Sequence, residues 1–370
     1  MNEGKATRFH RLKRRSRRLA FAARVGVLAV AAGWGYPAGL VEALVSAPEL
    51  AAAVRAALGA GVFAAVLGLA TELAALPFLI HGEFFLERRF GLSRQSLADW
   101  LSGRIQDAGV QVALWSAAAV ALYAAIAIWP GMWWKVAGGG CLAAALVQAS
   151  FASVAVAKRT RPLHRPALQA RLQALTRRTG APVIAIHEWR VGSATDTANA
   201  AVIGIGPWRR ILVSDTLLED YSDDEIEVII AHEIGHHVHC DLWQMIACSS
   251  AVSLGAFWTS NAVLTMPLPP GIAAGLGDIA SLPLLALVYG GVTVASAPLV
   301  NALSRWHERR ADRYALRVTG NVDAFVSGLR RVSAQYLAEE RPSRLVEWLF
   351  HSHPSLAARM AGARAAASKG

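Results

Sequence analysis

The sequence predicts a multi-pass α-helical membrane protein that carries a small α+β module on its cytoplasmic side. Three observations predict it. Of 370 residues, 54% are hydrophobic and only 17% charged, with a mean hydropathy of +0.36, which is too apolar for an ordinary soluble domain. Apolar runs of about 20 residues, enough to cross a bilayer as a helix, recur near 19–41, 58–80, 109–129, 133–157, 242–266 and 280–303. They give about six transmembrane helices. Between the fourth and fifth runs the hydrophobic period shortens to strand-like stretches and then lengthens to that of a capped helix.

Charge orients these spans. Net charge is +11, and the first eighteen residues hold eight basic side chains against one acid. The loop 81–108, with Arg88, Arg89, Arg94 and Arg104, and the stretch opening Lys158-Arg159-Thr160-Arg161 are also arginine-rich. The segments 42–57, 130–132 and 267–279 contain Arg55 as their one basic residue. The positive-inside rule therefore places both termini and residues 158–241 in the cytoplasm, in what reads as a bacterial inner membrane. The expected organisation is a basic cytoplasmic arm (1–18), four spans (19–157) around loop 81–108, a cytoplasmic α+β part (158–241), two spans (242–303), the remainder of the module (304–363) and a tail (364–370). A basic cluster directly ahead of an apolar helix touches anionic lipid, so the expected partner is the bilayer and not nucleic acid. No feature sets the oligomeric state. The first run is longer than a signal-peptide core and is read as retained. Cys141, Cys240 and Cys248 lack the paired spacing of a zinc ribbon or a disulfide framework. Glu72, a lone carboxylate in the second run, either lines a water-filled interior or pairs with a polar group on a neighbouring helix.

Within the module, 167–179 reads as a short basic amphipathic helix ended by Gly180. Three strand candidates follow at 183–186, 201–205 and 210–213, the last two joined as a hairpin across Gly206-Pro207-Trp208. The edge of such a sheet can bind an extended peptide by main-chain pairing. Next comes the stretch 222–241. Ser222 and Glu225 form a capping-box pair, and Ile226, Ile229, Ile230 and Ile234 recur at helical spacing. His232 and His236 lie one turn apart on this helix and can share one metal ion, with Glu233 beside them free to take a proton from water. This H-E-x-x-H arrangement points to metal-assisted hydrolysis. Downstream, Glu308 and Asp312 are again one turn apart, so a second helix can offer one carboxylate to the metal and another to a ligand histidine's free N–H. His353-Pro354 and Arg359 close the chain's polar features.

Taken in order, these pieces resemble the membrane-embedded gluzincins: the type 1 CAAX prenyl endopeptidases and, more distantly, the HtpX-type proteases. The resemblance runs from Leu76-Pro77 and Glu87-Arg-Arg-Phe-Gly91, through Asn199-Ala200, Ile211-Leu212-Val213 with Asp215-Thr216-Leu217-Leu218, and the histidine motif. It continues through the array Asn301 to Asp312 and ends at His353-Pro354 with Arg359. It implies a zincin-like metalloprotease module with one Zn2+ per chain, held by His232, His236 and Glu308, and Glu233 as general base. It also implies that Asp312 orients a ligand histidine, that Asn199 and His353 steady the substrate carbonyl or oxyanion, that Ala200 belongs to the substrate-binding strand, and that Arg359 sits near the substrate's carboxyl end. The expected function is that of an integral membrane zinc metalloendopeptidase acting on membrane-associated or unfolded polypeptides. One alternative is carboxyl-terminal processing of lipidated or CAAX-like substrates. Another, of a different class, is a catalytically idle zinc-binding scaffold, against which the presence of Glu233 argues.

Overall fold

The computed structural model describes the chain except residues 1–3, 34–51, 158–159, 182, 184, 190–198, 205–208, 268–274, 336–338, 340 and 368–370. It is mostly helical with one small sheet. The residues group into two compact units, Met1–Cys141 with Ser250–Ser296, and Leu142–Ser249 with Ala297–Gly370.

In the first unit, α1 (Lys5–Gly33) unites the basic arm and the first apolar run in one helix. The carboxyl part of that run, 34–41, lies outside the described residues. α2 (Ala52–Leu79) passes through a π-helical turn, Ile80–Phe85, into α3 (Leu86–Phe90), and Gly91 stops it with φ 78°. Ser96 caps α4 (Leu97–Ile128) by accepting from Asp99 N–H. The expected loop 81–108 is thus largely helical, with the connection confined to 91–96. α5 (Trp133–Ala157) follows.

Among the described residues, three helices are long and apolar enough to cross a membrane: Ala53–Phe90, Leu97–Ile128 and Ile279–Thr319. They contain the expected runs 58–80 and 280–303, and 109–129 but for its last residue, Trp129, which caps the helix. Leu69, Leu73, Val110 and Leu114 point outward, as lipid-facing side chains do. Inside, Glu72 is buried and paired with two helices at once. Its Oε1 accepts from Arg24 Nη2 at 2.8 Å and its Oε2 from Arg104 Nη2 at 2.6 Å. It therefore has the second of its two expected environments, because an isolated carboxylate in an apolar span is far costlier than a paired one.

The second unit holds the sheet. β1 (Thr160–Pro162), β2 (Ala185–Trp189), β3 (Ala200–Ile203) and β4 (Arg210–Ser214) lie in the order β1-β2-β4-β3. β2 and β4 are parallel, with Ile186 opposite Ile211, and the two outer strands run antiparallel to their neighbours. Three strands were expected. The fourth, β1, is too short to carry a period of its own and exists by pairing with β2. The hairpin turn at Gly206-Pro207-Trp208, the strand ends Ile184 and Ile205, and Lys158-Arg159 lie outside the described residues.

α6 (Pro166–Arg178) starts with proline at its first position and ends at Gly180, φ 63°. α7 (Asp215–Asp220), α8 (Asp223–Val238) and α9 (Asp241–Leu264) follow, and then α10 (Leu282–Thr319), α11 (Val322–Gln335), α12 (Arg344–Phe350) and α13 (Leu356–Ala367). The core of this unit joins Leu168, Leu172 and Leu175 of α6, Ile211 and Val213 of β4, Ile226, Ile230 and Ile234 of α8, and Phe325 of α11. The isoleucine stripe that marked α8 in the sequence is the face that seats it.

Candidate metal centre and active site

α8 begins with the expected capping box. Ser222 Oγ accepts from Glu225 N–H at 3.3 Å, and the Glu225 carboxylate accepts from Ser222 N–H at 2.9 Å. With that end fixed and the isoleucine face buried, His232 and His236 emerge together on the opposite side. Gly235 lets α10 come close, since a Cβ there would lie 3.2 Å from Ala311 Cα and 3.2 Å from Tyr314 Cδ1. Ala311 stands between Glu308 and Asp312, so this close approach is what delivers both carboxylates.

The three expected ligands converge. His232 Nε2 and His236 Nε2 are 3.2 Å apart, His232 Nε2 is 3.5 Å from Glu308 Oε2, and His236 Nε2 is 3.6 Å from Glu308 Oε1. For metal–ligand bonds of about 2.0–2.1 Å, the edge of a tetrahedron is about 3.3 Å, close to the separation of the two histidine nitrogens, and with one ligand atom from each residue the three lie within 4.8 Å of one another, a cluster that can close on a zinc-sized ion. Glu308 Oε2 is buried with no hydrogen-bond donor among the described residues, an acceptor left for a cation. The electrostatics agree. Burial works against the His232 imidazolium, but Asp312 and Glu308 overcome it and hold its pKa up to about 9. A pocket that favours positive charge on a buried ring favours a divalent cation there too.

Each imidazole has a carboxylate behind it. His232 Nδ1 lies 2.9 Å from Asp312 Oδ1, and His236 Nδ1 lies 2.8 Å from Asp241 Oδ2. Such partners fix the tautomer that leaves Nε2 free for a metal. Asp312 was expected in this part. Asp241 was missed. It opens α9 directly after Cys240, whose φ of 58° folds the chain back in a single residue, and Arg310, stacked 4.1 Å over Trp306, pairs with it. An aspartate at a helix start reads as a cap, which hid this use. Cys240 is exposed in that turn.

The remaining expected residues are placed as follows. Glu233 is half-buried between the ligand positions and makes no hydrogen bond among the described residues. His353 is largely exposed, with Nε2 3.2 Å from Glu308 Oε1. Its segment is held by α10: Arg305 Nη1 donates to the carbonyls of Glu347 at 3.0 Å and His351 at 2.6 Å, and Asn301 Nδ2 to Leu349 O at 2.9 Å. Arg359 grips Asp312 through Nε at 2.8 Å and Nη2 at 2.5 Å. Asn199 is exposed and leads into β3, with its N–H donated to Ser214 Oγ at 2.9 Å, and Ala200 is the first residue of that strand.

Membrane-crossing helices together with a His/His/Glu donor set beside a glutamate that makes no hydrogen bond among the described residues define an integral membrane metalloendopeptidase. Comparison with known proteins narrows the class. Residues 162–367 match the family model described as peptidase family M48, and residues 25–157 match one described as CAAX prenyl protease N-terminal, five membrane helices. The chain belongs to peptidase family M48. It is 28% identical to the uncharacterized metalloprotease YhfN of Bacillus subtilis (strain 168), over 80% of this chain and 71% of that protein. It is 21% identical to probable CAAX prenyl protease 1 of Schizosaccharomyces pombe, over 81% of this chain and 64% of the other. The crystal structure of S. mikatae Ste24p has the same fold, with a TM-score of 0.72 at 20% identity over 89% of this chain and 80% of that one.

Proposed function

We propose that this chain is a zinc endopeptidase of a bacterial cytoplasmic membrane, with about six spans and a cytoplasmic active site, which cleaves membrane-associated or unfolded polypeptides. The observation that carries the reading is the convergence of His232 Nε2, His236 Nε2 and the Glu308 carboxylate: the two nitrogens are 3.2 Å apart, and the carboxylate lies 3.5 Å from the first through Oε2 and 3.6 Å from the second through Oε1. These three residues would hold one zinc ion. When bound, zinc supplies Lewis-acid polarisation of the scissile carbonyl and eases deprotonation of water.

The chain's own groups do the rest. Asp312 and Asp241 hold the two rings by their Nδ1 atoms. Glu233, without a hydrogen bond among the described residues, takes a proton from the attacking water and returns it to the leaving amide nitrogen. His353 Nε2, already beside Glu308 and open to solvent, is placed to donate to the carbonyl oxygen as negative charge develops. Asn199 and Ala200 form the substrate-facing lip, where β3 is the outer strand. Arg359 acts through Asp312, and any contact with the substrate's carboxyl end shares the guanidinium with that carboxylate.

Purified Glu233→Gln protein should retain its zinc and lose proteolysis of casein; wild-type-like cleavage would refute the mechanism. A second reading, trimming of the carboxyl ends of lipidated or CAAX-like substrates, is favoured by the match of residues 25–157. Comparing cleavage of CAAX-like peptides with that of denatured membrane proteins separates the two.

A further inference from the structure

Among the described residues no strand pairs with the outer edge of β3, and its pairing with β4 decides which main-chain groups face that edge. Ser214 N–H donates to Asn199 O at 2.9 Å, so residues 199 and 214 form a hydrogen-bonded pair. In the observed register, antiparallel alternation makes 201 with 212 and 203 with 210 the next such pairs. Ala200 and Val202 therefore turn their N–H and C=O groups away from the sheet. One of these four groups is occupied. His237 Nε2 donates to Val202 O at 2.7 Å, from the position on α8 directly after the ligand His236. Among the described residues, the edge thus offers Ala200 N–H, Ala200 C=O and Val202 N–H, with Val202 O already engaged by His237.

We propose that His237 is a specificity-determining residue: by occupying Val202 O it ends the acceptor pattern of the edge strand. This rests on the binding of substrate along β3 proposed above. A peptide laid antiparallel pairs both of its groups with Ala200. The residue two positions toward its amino terminus faces Val202 and can use only its carbonyl. An N–H at that residue meets an acceptor already engaged by His237, so a residue without one, such as proline or an N-methyl amino acid, is accepted there with little loss. Without His237, Val202 O would return to the edge and that position would demand an N–H.

The test uses the full chain with zinc in detergent and, as probe, an unfolded casein-derived peptide whose cleavage point has been mapped. Single backbone N-methyl groups are moved along the residues flanking the cut. In the wild type, one position should lower kcat/KM by about tenfold or more, the residue facing Ala200. The position two residues before it should change by less than about twofold. In His237→Leu that second position should become sensitive by about fivefold or more, while His237→Gln, which keeps a donor, should retain the wild-type pattern. Zinc content and thermal midpoint of each variant are measured alongside. A wild-type scan already sensitive at both positions overturns the proposal even if His237→Leu fails to fold, and so does a His237→Leu scan identical to the wild type. Cleavage that survives Glu233→Gln would instead sink the metallopeptidase mechanism, which the scan does not address.

Discussion

Asp241→Asn isolates the carboxylate behind His236. The side chain is buried at 4% exposure, accepts from His236 Nδ1 at 2.8 Å and neutralises Arg310. The amide keeps the shape but loses the charge. His236 becomes a poorer donor to the metal, and the Arg310 guanidinium, 19% exposed, is left as an unbalanced cation near the site. Carboxylates that orient ligand histidines are worth about 10–100-fold in metal affinity, or about 1.4–2.8 kcal/mol. The freed arginine acts in the same direction, so the upper half of that range is expected. Glu233 and the three ligands remain, so the loss falls on zinc binding more than on turnover. The assay is proteolysis as a function of buffered free zinc, with zinc affinity measured by chelator competition. Half-maximal activity should need about 30–100 times more zinc, while kcat at saturating zinc falls by less than about fivefold. A zinc affinity within twofold of wild type would refute the assignment of Asp241 as the group that holds His236.

Other substitutions probe the scaffold. Gly235→Ala sets a Cβ against Ala311 and Tyr314, one of them backbone, and should cost about 1–3 kcal/mol in thermal melts while raising the zinc requirement; an unchanged midpoint and zinc requirement would contradict the close approach of α8 and α10. Burial pushes the Glu225 carboxyl up, but Ser222, Ser327 and Arg331 overcome it and hold it below the usual value of 4.5. A lowered folded-state pKa contributes stability that is full above about pH 4.5 and is lost as pH falls through the lowered value. The stability gap between wild type and Glu225→Gln, about 1 kcal/mol at neutral pH, should therefore shrink on acidification below 4.5, and a gap that widens there would contradict it. Glu72→Leu leaves Arg24 and Arg104 without their shared partner and should destabilise by about 2–3 kcal/mol, below the value for fully buried pairs because both guanidinium groups are partly exposed. A variant as stable as wild type would remove the structural role of the cluster.

What the sequence disclosed was what short-range signals carry. The Ser222–Glu225 cap, the isoleucine stripe and the two histidines one turn apart all act within a few residues, so α8 and its motif were legible. Glu308 and Asp312 were legible as a helical pair, and the resemblance supplied the assignment of ligand and orienting group. The features that escaped depend on partners distant in the chain. β1 is three residues long and has a strand's conformation because β2 is beside it. The arm continues into α1, where Ser16 Oγ donates to Phe78 O at 2.5 Å and Gly82 leaves no room for a Cβ beside Ser16. Asp241 acquires its role from a left-handed residue at Cys240 and from Arg310, neither of which announces a metal site locally.

The spacing on α10 explains why the site can be assembled without a rigid loop. Asn301, Arg305, Glu308 and Asp312 follow steps of four, three and four residues, which keeps them in one stripe along a helix. The first two hold the carbonyls at the end of α12 and so set where His353 begins; the third meets His232 and His236; the fourth takes the Nδ1 of His232 and the guanidinium of Arg359. In the proposed mechanism, metal ligand, ligand orientation and oxyanion donor are thereby referred to a single helix, which holds positions more closely than loops do. The C-terminal segment is thereby tied to α10 at three places: the carbonyls that Asn301 and Arg305 hold, the ring of His353 that reaches Glu308, and Arg359 on Asp312.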